Sequence, residues 1–194
     1  MSTGCLRLDF RNTESLTELL RSDNGRYSKI KKLKFFAWFI PTETVERILG
    51  IIEEKERIDC LELRGRPLWR LNKDLVASSF SKIREIKISQ GAFTTEQFEA
   101  LFRKILDGDS TLLKELYVCD MTLRYVDELQ LSRAVGTMKR VTLRKCKLRI
   151  DTIRLLLQEL RISKTLIYLD LSGNKEFETG RHDLNFPGKT FIYE

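Results

Sequence analysis

A triplet of apolar residues recurs along this chain at a nearly constant interval. In each copy the second residue follows the first by three positions and the third follows two positions later. Successive copies begin 27, 28, 25, 30, 25 and 28 residues apart. The copies are Thr3/Leu6/Leu8, which is the weakest, then Ile30/Leu33/Phe35, Ile58/Leu61/Leu63, Ile83/Ile86/Ile88, Leu113/Leu116/Val118, Met138/Val141/Leu143 and Leu166/Leu169/Leu171. A period in the twenties is typical of solenoids, in which each unit buries its apolar face against a neighbour.

Each unit is predicted to contain a strand, a turn and a helix. The last two residues of the triplet are two apart and therefore share one face of a strand. A further apolar residue follows, such as Phe93, and the spacing then changes to the three-to-four pattern of an amphipathic helix, as in Phe98, Leu101 and Phe102. The equivalents of Phe93 are Ile40, Leu68, Leu123 and Leu148.

The helix starts carry capping signals. Thr94 and Gln97 have the spacing of a capping box, and Thr42 and Asp151 are expected as N-caps. Because every unit has the same order, successive strands should run parallel in one sheet. Helices are wider than the strand spacing of about 4.8 Å, so the stack should curve. The predicted fold class is an α/β solenoid of about seven repeats, a horseshoe arc with concave parallel strands and convex helices.

Three segments carry a resemblance to a known family: LLKELYVCDMTL, MKRVTLRKCKL and LIYLDLSGN, the last ending in Asn174. They resemble leucine-rich repeats of the long, helix-containing class found in ribonuclease inhibitor. The resemblance implies a repeat domain over 1–174, followed by a C-terminal cap or tail over 175–194. In this class a cysteine or asparagine, here Cys146 or Asn174, hydrogen-bonds the turning backbone. That position holds Trp38, Arg66, Gly91 and Met121 in other copies, so most of this polar ladder is expected to be missing.

Composition and the first residues favour a protein of the cytosol or nucleus. No apolar run approaches the roughly 18 to 20 residues that a transmembrane helix needs. The start of the chain lacks the pattern of a secretory signal. The cysteines, Cys5, Cys60, Cys119 and Cys146, form no CxxC, and His182 is the only histidine. We therefore expect free thiols, no metal and no cofactor.

Catalytic motifs are not found in the sequence. A hydrolytic triad would need a histidine near a serine or cysteine, and His182 lies beyond the repeats. GRPLWRLNK contains one glycine and does not resemble a phosphate-binding loop. The chain is predicted not to be an enzyme.

The charge is basic and uneven. The net charge is +7, and basic residues cluster at 26–34 and 139–149. Such clusters are typical of proteins that bind nucleic acid, acidic lipid or acidic protein, and are also found on merely solvated faces.

The strand positions between the buried residues should point to the concave surface. Tyr117, Tyr168 and Phe36 have no core to fill there, and aromatic residues and arginines set among charges are typical of interfaces. The predicted partner-binding residues are Lys32, Lys34, Phe36, Arg64, Lys87, Tyr117, Arg140, Thr142, Arg144, Tyr168 and Asp170. Leu143→Ala should cost about 2 to 5 kcal/mol of stability, and Thr142→Ala, on the concave side, about 0.5 kcal/mol or less.

Three functions remain open at this point. The leading hypothesis is a non-enzymatic protein-interaction scaffold that binds a macromolecular partner on its concave face. The second is nucleic-acid binding through the two basic clusters. The third is implied by the resemblance alone: a substrate-recognition module of a ubiquitin ligase or an immune receptor.

Overall fold

The structure is a computed structural model. It describes residues 4–8, 30–36, 40–55, 58–65, 68–90, 93–108, 111–174 and 186–193. Strands and helices alternate through these ranges. The strands are β1 (Gly4–Leu8), β2 (Ile30–Phe36), β3 (Cys60–Arg64), β4 (Glu85–Ser89), β5 (Glu115–Cys119), β6 (Arg140–Arg144), β7 (Tyr168–Asp170) and β8 (Thr190–Ile192). The helices are α1 (Thr42–Lys55), α2 (Lys73–Ser81), α3 (Thr95–Leu106), α4 (Glu128–Thr137) and α5 (Ile150–Ile162), with a 3-10 turn at Leu68–Arg70.

The eight strands form one sheet, in which they follow one another in sequence order. Every neighbouring pair is parallel. The triplets are in register: Leu61 lies opposite Ile86, Ile86 opposite Leu116, and Leu116 opposite Val141. The α/β class and the parallel sheet predicted from the repeat are therefore confirmed.

One hydrophobic core lies between the sheet and the helices. Strand residues such as Leu61 and Ile88 belong to the same buried cluster as helix residues such as Ile48 and Phe98. The predicted residues that follow the strands, Ile40, Leu68, Phe93, Leu123 and Leu148, are all buried. Leu143 is 0% exposed, as its place in the triplet predicts.

The turns after β3 to β7 each contain a residue with a positive φ. It directly follows the strand at Gly65 (92°), Gln90 (51°), Asp120 (54°) and Lys145 (51°), and it is Gly173 (72°), three residues after the end of β7, in the last of them. The N–H of each of the first four donates to a carbonyl of the next unit, on Ser89, Cys119, Arg144 and Ser172, at 3.0 to 3.3 Å. Left-handed backbone is unfavourable for most residues, so its recurrence shows how strictly the units repeat.

The cap predictions had mixed outcomes. The Thr94–Gln97 capping box is confirmed, with both of its hydrogen bonds formed. Asp151 is not a cap: Arg149 occupies that position without a side-chain cap, and Asp151 lies in the first turn, paired with Arg154. Thr42 is likewise the first residue of its helix, and the carbonyl before it accepts the first helical hydrogen bond.

Asn174 holds the last turn of the sheet, as the resemblance implies. Its Oδ1 accepts from the N–H groups of Cys146 (2.9 Å) and Leu148 (3.2 Å). Its Nδ2 donates to the carbonyls of Leu143 and Leu171, both at 2.7 Å. Met121, at the equivalent position of another unit, is buried and apolar, whereas Trp38, Arg66 and Gly91 lie outside the described residues.

The C-terminal segment extends the same sheet. β8 pairs with β7, and Phe186 is part of the core. The division at residue 174 stays a prediction. None of the helices in the described part of the chain is long and apolar enough to span a membrane.

Candidate functional site on the open face of the sheet

The sheet has one face turned away from the core, which we call the open face. It carries alternate residues of the strands, which lie in three rows across the sheet. The first row is Lys32, Cys60, Glu85, Glu115, Arg140 and Tyr168; the middle row is Lys34, Glu62, Lys87, Tyr117, Thr142 and Asp170; the last row includes Arg64, Ser89, Cys119 and Arg144. Parallel sheets usually have both faces covered. Here the side chain of Arg64 is 53% exposed and that of Arg140 47%, so this face is open to solvent at both positions.

On the amino-terminal half of the open face, β2–β4, three of the four described cations are paired with carboxylates. Glu62 is buried and accepts from Lys34 (2.8 Å) and Arg64 (2.7 Å). Burial works to raise the pKa of Glu62, but the two cations outweigh it and hold the pKa below its ordinary value. Lys87 and Glu85 form a second pair at 2.6 Å. Their hydrogen bond raises the pKa of Lys87, and together with that from Cys60 it lowers the pKa of Glu85 against the opposing effect of burial.

The two buried thiols, Cys60 beside these pairs and Cys146 in the core, are not activated. Burial, reinforced by the neighbouring Glu85, raises the pKa of Cys60 to about 12. Burial also raises the pKa of Cys146. Cysteine reacts as its thiolate, so both groups are inert near neutral pH.

The carboxy-terminal half, on β5–β7, is built differently. The guanidinium of Arg140 lies over the ring of Tyr168, 4.4 Å from its centroid, and is 4.0 Å from Glu115. Arg144 is exposed and has no carboxylate within ion-pair distance among the described residues. Tyr117 is half-buried, and burial raises its pKa, with Cys119 adding to the effect.

Two of the predicted surface residues are buried. Thr142 and Asp170 are each only 8% exposed. They lie side by side in the middle row, on β6 and β7, and Asp170 Oδ1 accepts from the N–H of Ser172 (2.9 Å). Thr142 is therefore not an ordinary surface position, and the small cost expected for Thr142→Ala stays a prediction.

The remaining predicted residues lie on the open face, with one outside the description. Lys32, Arg64, Arg140 and Arg144 are exposed. Half-buried positions are Lys34, Lys87, Tyr117 and Tyr168. The side chain of Phe36 lies outside the described part of the structure.

The predicted partner-binding residues do not include the carboxylates that pair with the cations of the open face. Glu62 lies beside Lys34 and Lys87 in register and Glu115 beside Arg140, whereas Glu85 is two residues from Lys87 on the same strand. Aligning the repeats would have placed Glu62 next to Lys34, since the register follows the period.

The structure describes the whole of the basic cluster at 139–149 and part of the one at 26–34. In 139–149 all six basic side chains are exposed, and Arg149 pairs with Glu128 at 2.9 Å. In 26–34, Arg26 and Lys29 lie outside the described residues. Trp69, which is 49% exposed, lies in the 3-10 turn with Arg70 over its ring and not on the open face.

The helical side of the molecule contains a cleft among α1, α2 and α3. Its volume is about 660 Å³, and its lining includes Glu46, Asp74 and Arg103. Within the described ranges, no group of three or more histidine, cysteine, aspartate or glutamate side chains is placed to hold a metal ion. The chain matches no protein-family model and no curated protein sequence.

Proposed function

We propose that this chain is a leucine-rich repeat scaffold that binds a partner protein on its open face and performs no catalysis itself. The observation that carries the proposal is the open face: a fully parallel sheet that leaves charged and aromatic side chains in ordered rows at the solvent. Sheets of this type are otherwise covered on both sides. A face kept open in this way is available to a partner.

Three features support the leucine-rich repeat assignment. The strands follow in sequence order, the turn residue with positive φ recurs, and the Asn174 amide bridges neighbouring turns. The helices, at about 10 Å across, need more room than the strands at about 4.8 Å, which favours a curved arc with the open face inside. The horseshoe shape is part of the proposal.

The side chains of the open face are those that protein interfaces favour. Tyrosine and arginine dominate binding hot spots, because they combine large contact areas with hydrogen-bonding groups. Tyr117, Tyr168 and Arg140 lie close together on this face. A reducing compartment, the cytosol or the nucleus, fits the free thiols of Cys60, Cys119 and Cys146.

Nucleic-acid binding is a second candidate because the 139–149 cluster is fully exposed. Against it, Glu85 and Glu115 are carboxylates on the same face and would repel a phosphate backbone. Binding of this kind should weaken steeply with added salt, since phosphate contacts release counterions. The ubiquitin-ligase or immune-receptor role rests on the resemblance alone.

The test is affinity capture from the source cell with the wild-type chain and two variants. Tyr117→Ala/Tyr168→Ala alters the open face, and Leu129→Ala/Arg133→Ala alters exposed positions on α4. Thermal melts first establish that both variants fold. We expect a set of proteins to be lost with the tyrosine variant and kept with the helix variant. Equal capture by the wild type and the tyrosine variant, or loss with the helix variant alone, would remove the open face as the binding site.

A further inference from the structure

A row of exposed cations lies on the side of the molecule where the helices end and the strands begin. We call this side the amino edge and define it by the loops that lead into β4, β5, β6 and β7, which are residues 82–84, 107–114, 138–139 and 163–167. Arg84, Lys114 and Lys139 immediately precede three neighbouring strands. The N–H of Lys114 donates to the carbonyl of Arg84 (2.9 Å), and the N–H of Lys139 donates to that of Lys114 (2.8 Å). The side chains of these three residues and of Lys164 are exposed.

The positive charge of the amino edge exceeds its negative charge. The four exposed cations form no ion pair with a described residue. The loops contain five cations and two acidic residues, and Asp109 lies outside the described residues: Lys82, Arg84, Lys114, Lys139 and Lys164 against Asp107 and Asp109. The last turns of the preceding helices add three cations and one acidic residue: Arg103, Lys104, Arg161 and Glu159.

The nearest carboxylates along the strands are already engaged. Glu85 and Glu115 directly follow Arg84 and Lys114, but they lie on the open face, where their ion-pair partners are Lys87 and Arg140. Like charges side by side on neighbouring strands are destabilising. An anionic ligand would therefore be favourable along the row of Arg84, Lys114 and Lys139.

A cation at this edge can also serve the fold alone. Lys189, the register neighbour of Ile167, donates to the carbonyls of Leu160 and Ser163 and so satisfies the end of α5. The side chains of Arg84, Lys114 and Lys139 make no such bond to a described carbonyl. Their general attraction to helix carboxyl ends favours positive charge here. It does not account for the apolar side chains at the same edge.

The amino edge exposes aliphatic side chains beside its cations. Leu112 and Ile167 lie in its loops, and Leu106 and Ile162 are the last residues of α3 and α5. Elsewhere in the described part of the chain, the exposed large aliphatic side chains are Leu129 and Ile192. Single exposed apolar residues are normal, whereas four on one edge mark an interaction surface.

The strand register makes the amino edge level. The first residues of β4 to β7 are partners in register: Glu85, Glu115, Arg140 and Tyr168. The residues that precede these strands therefore end at a similar height and can meet a planar surface together. The open face runs along the strands, at right angles to this edge, so a ligand on the edge leaves that face accessible.

The side chains of the amino edge favour a lipid surface over a protein or a nucleic acid. Protein interfaces are enriched in aromatic residues and depleted in lysine, whereas three of the four exposed cations here are lysines. The exposed aromatic rings of the described residues, Trp69, Tyr125 and Tyr193, all follow the carboxyl ends of strands, so none of them can stack on a base at the amino edge. Lysine beside leucine and isoleucine is typical of surfaces that lie on anionic membranes.

We propose that the amino edge of β4–β7 binds the surface of a membrane that contains anionic phospholipid. Arg84, Lys114 and Lys139 contact the headgroups, and Leu112 and Ile167 enter the boundary with the acyl chains beside them. The inference is independent of the proposed function. A chain bound in this way presents its open face to a partner protein alongside the membrane.

The test is co-sedimentation of the chain with two kinds of lipid vesicle, one of phosphatidylcholine alone and one of phosphatidylcholine mixed with phosphatidylserine. We expect binding to the mixed vesicles and not to phosphatidylcholine alone. The binding should weaken with added salt, because salt screens the attraction between cations and anionic lipid. Single-stranded oligothymidine, in a separate binding assay, is the nucleic-acid probe.

Lys114→Gln/Lys139→Gln removes two cations of the row. Lys145→Gln/Lys147→Gln is its matched control, because it makes the same change of charge at two exposed lysines that follow β6. The first variant should bind the mixed vesicles about tenfold more weakly or worse, and the control should lose less than about threefold.

Leu112→Ser/Ile167→Ser tests the apolar contribution, with Leu129→Ser/Ile192→Ser as its control. The two pairs are matched in exposure: Leu112 is 46% exposed and Leu129 51%, and Ile167 and Ile192 are both 37% exposed. The first pair should weaken vesicle binding about tenfold, and the control should change it less than about twofold. Thermal melts first establish that each variant folds, and the comparison of the two vesicle types with wild type needs no variant.

Several outcomes would overturn the inference. No binding of wild type to the mixed vesicles, equal losses in the two lysine variants, or full binding by Leu112→Ser/Ile167→Ser would each do so. Binding of oligothymidine without vesicle binding, lost in Lys114→Gln/Lys139→Gln, would assign the row to nucleic acid. Captured proteins lost with that variant, again without vesicle binding, would assign it to a protein. The open-face function is judged separately, by the capture experiment with Tyr117→Ala/Tyr168→Ala.

Discussion

One side-chain amide, that of Asn174, joins two neighbouring turns of the sheet. Its oxygen and nitrogen together satisfy two backbone N–H groups and two carbonyls, all of them buried. Buried backbone groups that lose their partners are costly because water cannot replace them. The contribution of Asn174 therefore lies mainly in the groups it would leave unpaired.

We predict that Asn174→Ala lowers the free energy of unfolding by about 2 to 4 kcal/mol. Asn72→Ala is the control, because Asn72 accepts from the N–H groups of Asp74 and Leu75 as an exposed helix cap. Loss of an exposed cap typically costs about 1 kcal/mol. Urea denaturation measures both changes, and equal losses would mean that burial of the Asn174 bonds adds nothing.

Glu62 makes the stability of the open face depend on pH. Its pKa in the folded protein lies below the ordinary value of 4.5, because Lys34 and Arg64 outweigh the effect of burial. The ionised carboxylate therefore stabilises the fold fully above that ordinary value, and the stabilisation is lost as the pH falls through the lower folded-state pKa.

We predict that wild type and Glu62→Gln differ most in stability at neutral pH. The difference should stay constant down to a pH of about 5 and then shrink as the pH falls further. Denaturant melts of the two proteins across this range measure it. A difference that is the same at neutral and acid pH would show that the ion pairs with Lys34 and Arg64 do not stabilise the fold.

The triplet predicts which side chains are buried better than which are exposed. Leu143 is buried as its position in the repeat requires, since alternation along a strand fixes its face. The repeat predicts that Thr142 lies on the open face, which is confirmed, but it does not predict that the side chain is buried. Its burial depends on the lengths of side chains on the two adjacent strands, and a pattern within one strand does not contain that information.

Among the helices, α3 shows how a short motif acquires a second role. Gln97 completes the capping box by accepting from the N–H of Thr94, as the sequence predicts. Its Nε2 also donates to the carbonyls of Leu68 (2.9 Å) and Leu71 (2.7 Å), which ties the preceding 3-10 turn to the helix. The capping-box pattern allows glutamate or glutamine at this position, but only glutamine can make these two bonds.

We predict that Gln97→Glu costs about 3 kcal/mol or more at neutral pH, because it puts a buried carboxylate against two carbonyl oxygens. Such a carboxyl has a raised pKa in the folded state, so the penalty should shrink as the pH falls and the group protonates. Denaturant melts at neutral and mildly acid pH test this.

Gln130→Glu provides the control, since Gln130 occupies the same position after the Asp127 cap of α4 and is only partly buried. That change should stay within about 0.5 kcal/mol at both pH values. Similar losses at the two sites would mean that the bonds from Gln97 to the 3-10 turn contribute no stability.

The start of α5 shows that a capping residue type does not by itself predict where a helix begins. Aspartate is a common N-cap residue, yet the helix begins at Ile150, before Asp151, and Arg149 holds the cap position. The apolar repeat places each helix to within a turn, but the first helical residue depends on where the preceding chain leaves the core. Element order and sheet pairing follow from the period, and the exact helix starts do not.

Strands and helices contact the equivalent elements of the neighbouring units along the chain. Each strand pairs with the next, and each helix packs against the next helix. The period predicts this connectivity, because units that repeat the same order can stack only on their neighbours. Two ion pairs of the open face, Lys34–Glu62 and Arg140–Glu115, join neighbouring strands, and two, Arg64–Glu62 and Lys87–Glu85, lie within one strand.

The final prediction concerns how a defect spreads through such a stack. Phe186 is buried at the carboxy-terminal end, where its ring meets that of Phe191 edge-on at 5.7 Å. Stability in a stack is approximately a sum of unit and interface contributions, so a defect at one end should act locally. We predict that Phe186→Ala speeds amide hydrogen exchange in β7, β8 and α5 and leaves β3 and β4 unchanged.

Phe98→Ala is the comparison, because Phe98 lies in the middle of the stack, buried in contact with the rings of Phe93 and Phe102. Its loss should speed exchange in the units on both sides. Hydrogen exchange followed by mass spectrometry measures both variants. Uniform acceleration of every protected amide by Phe186→Ala would show a single cooperative unit, in which the stacked units do not unfold separately. The local result would instead mean that the end formed by 186–193 can open while β5 and β6 stay paired.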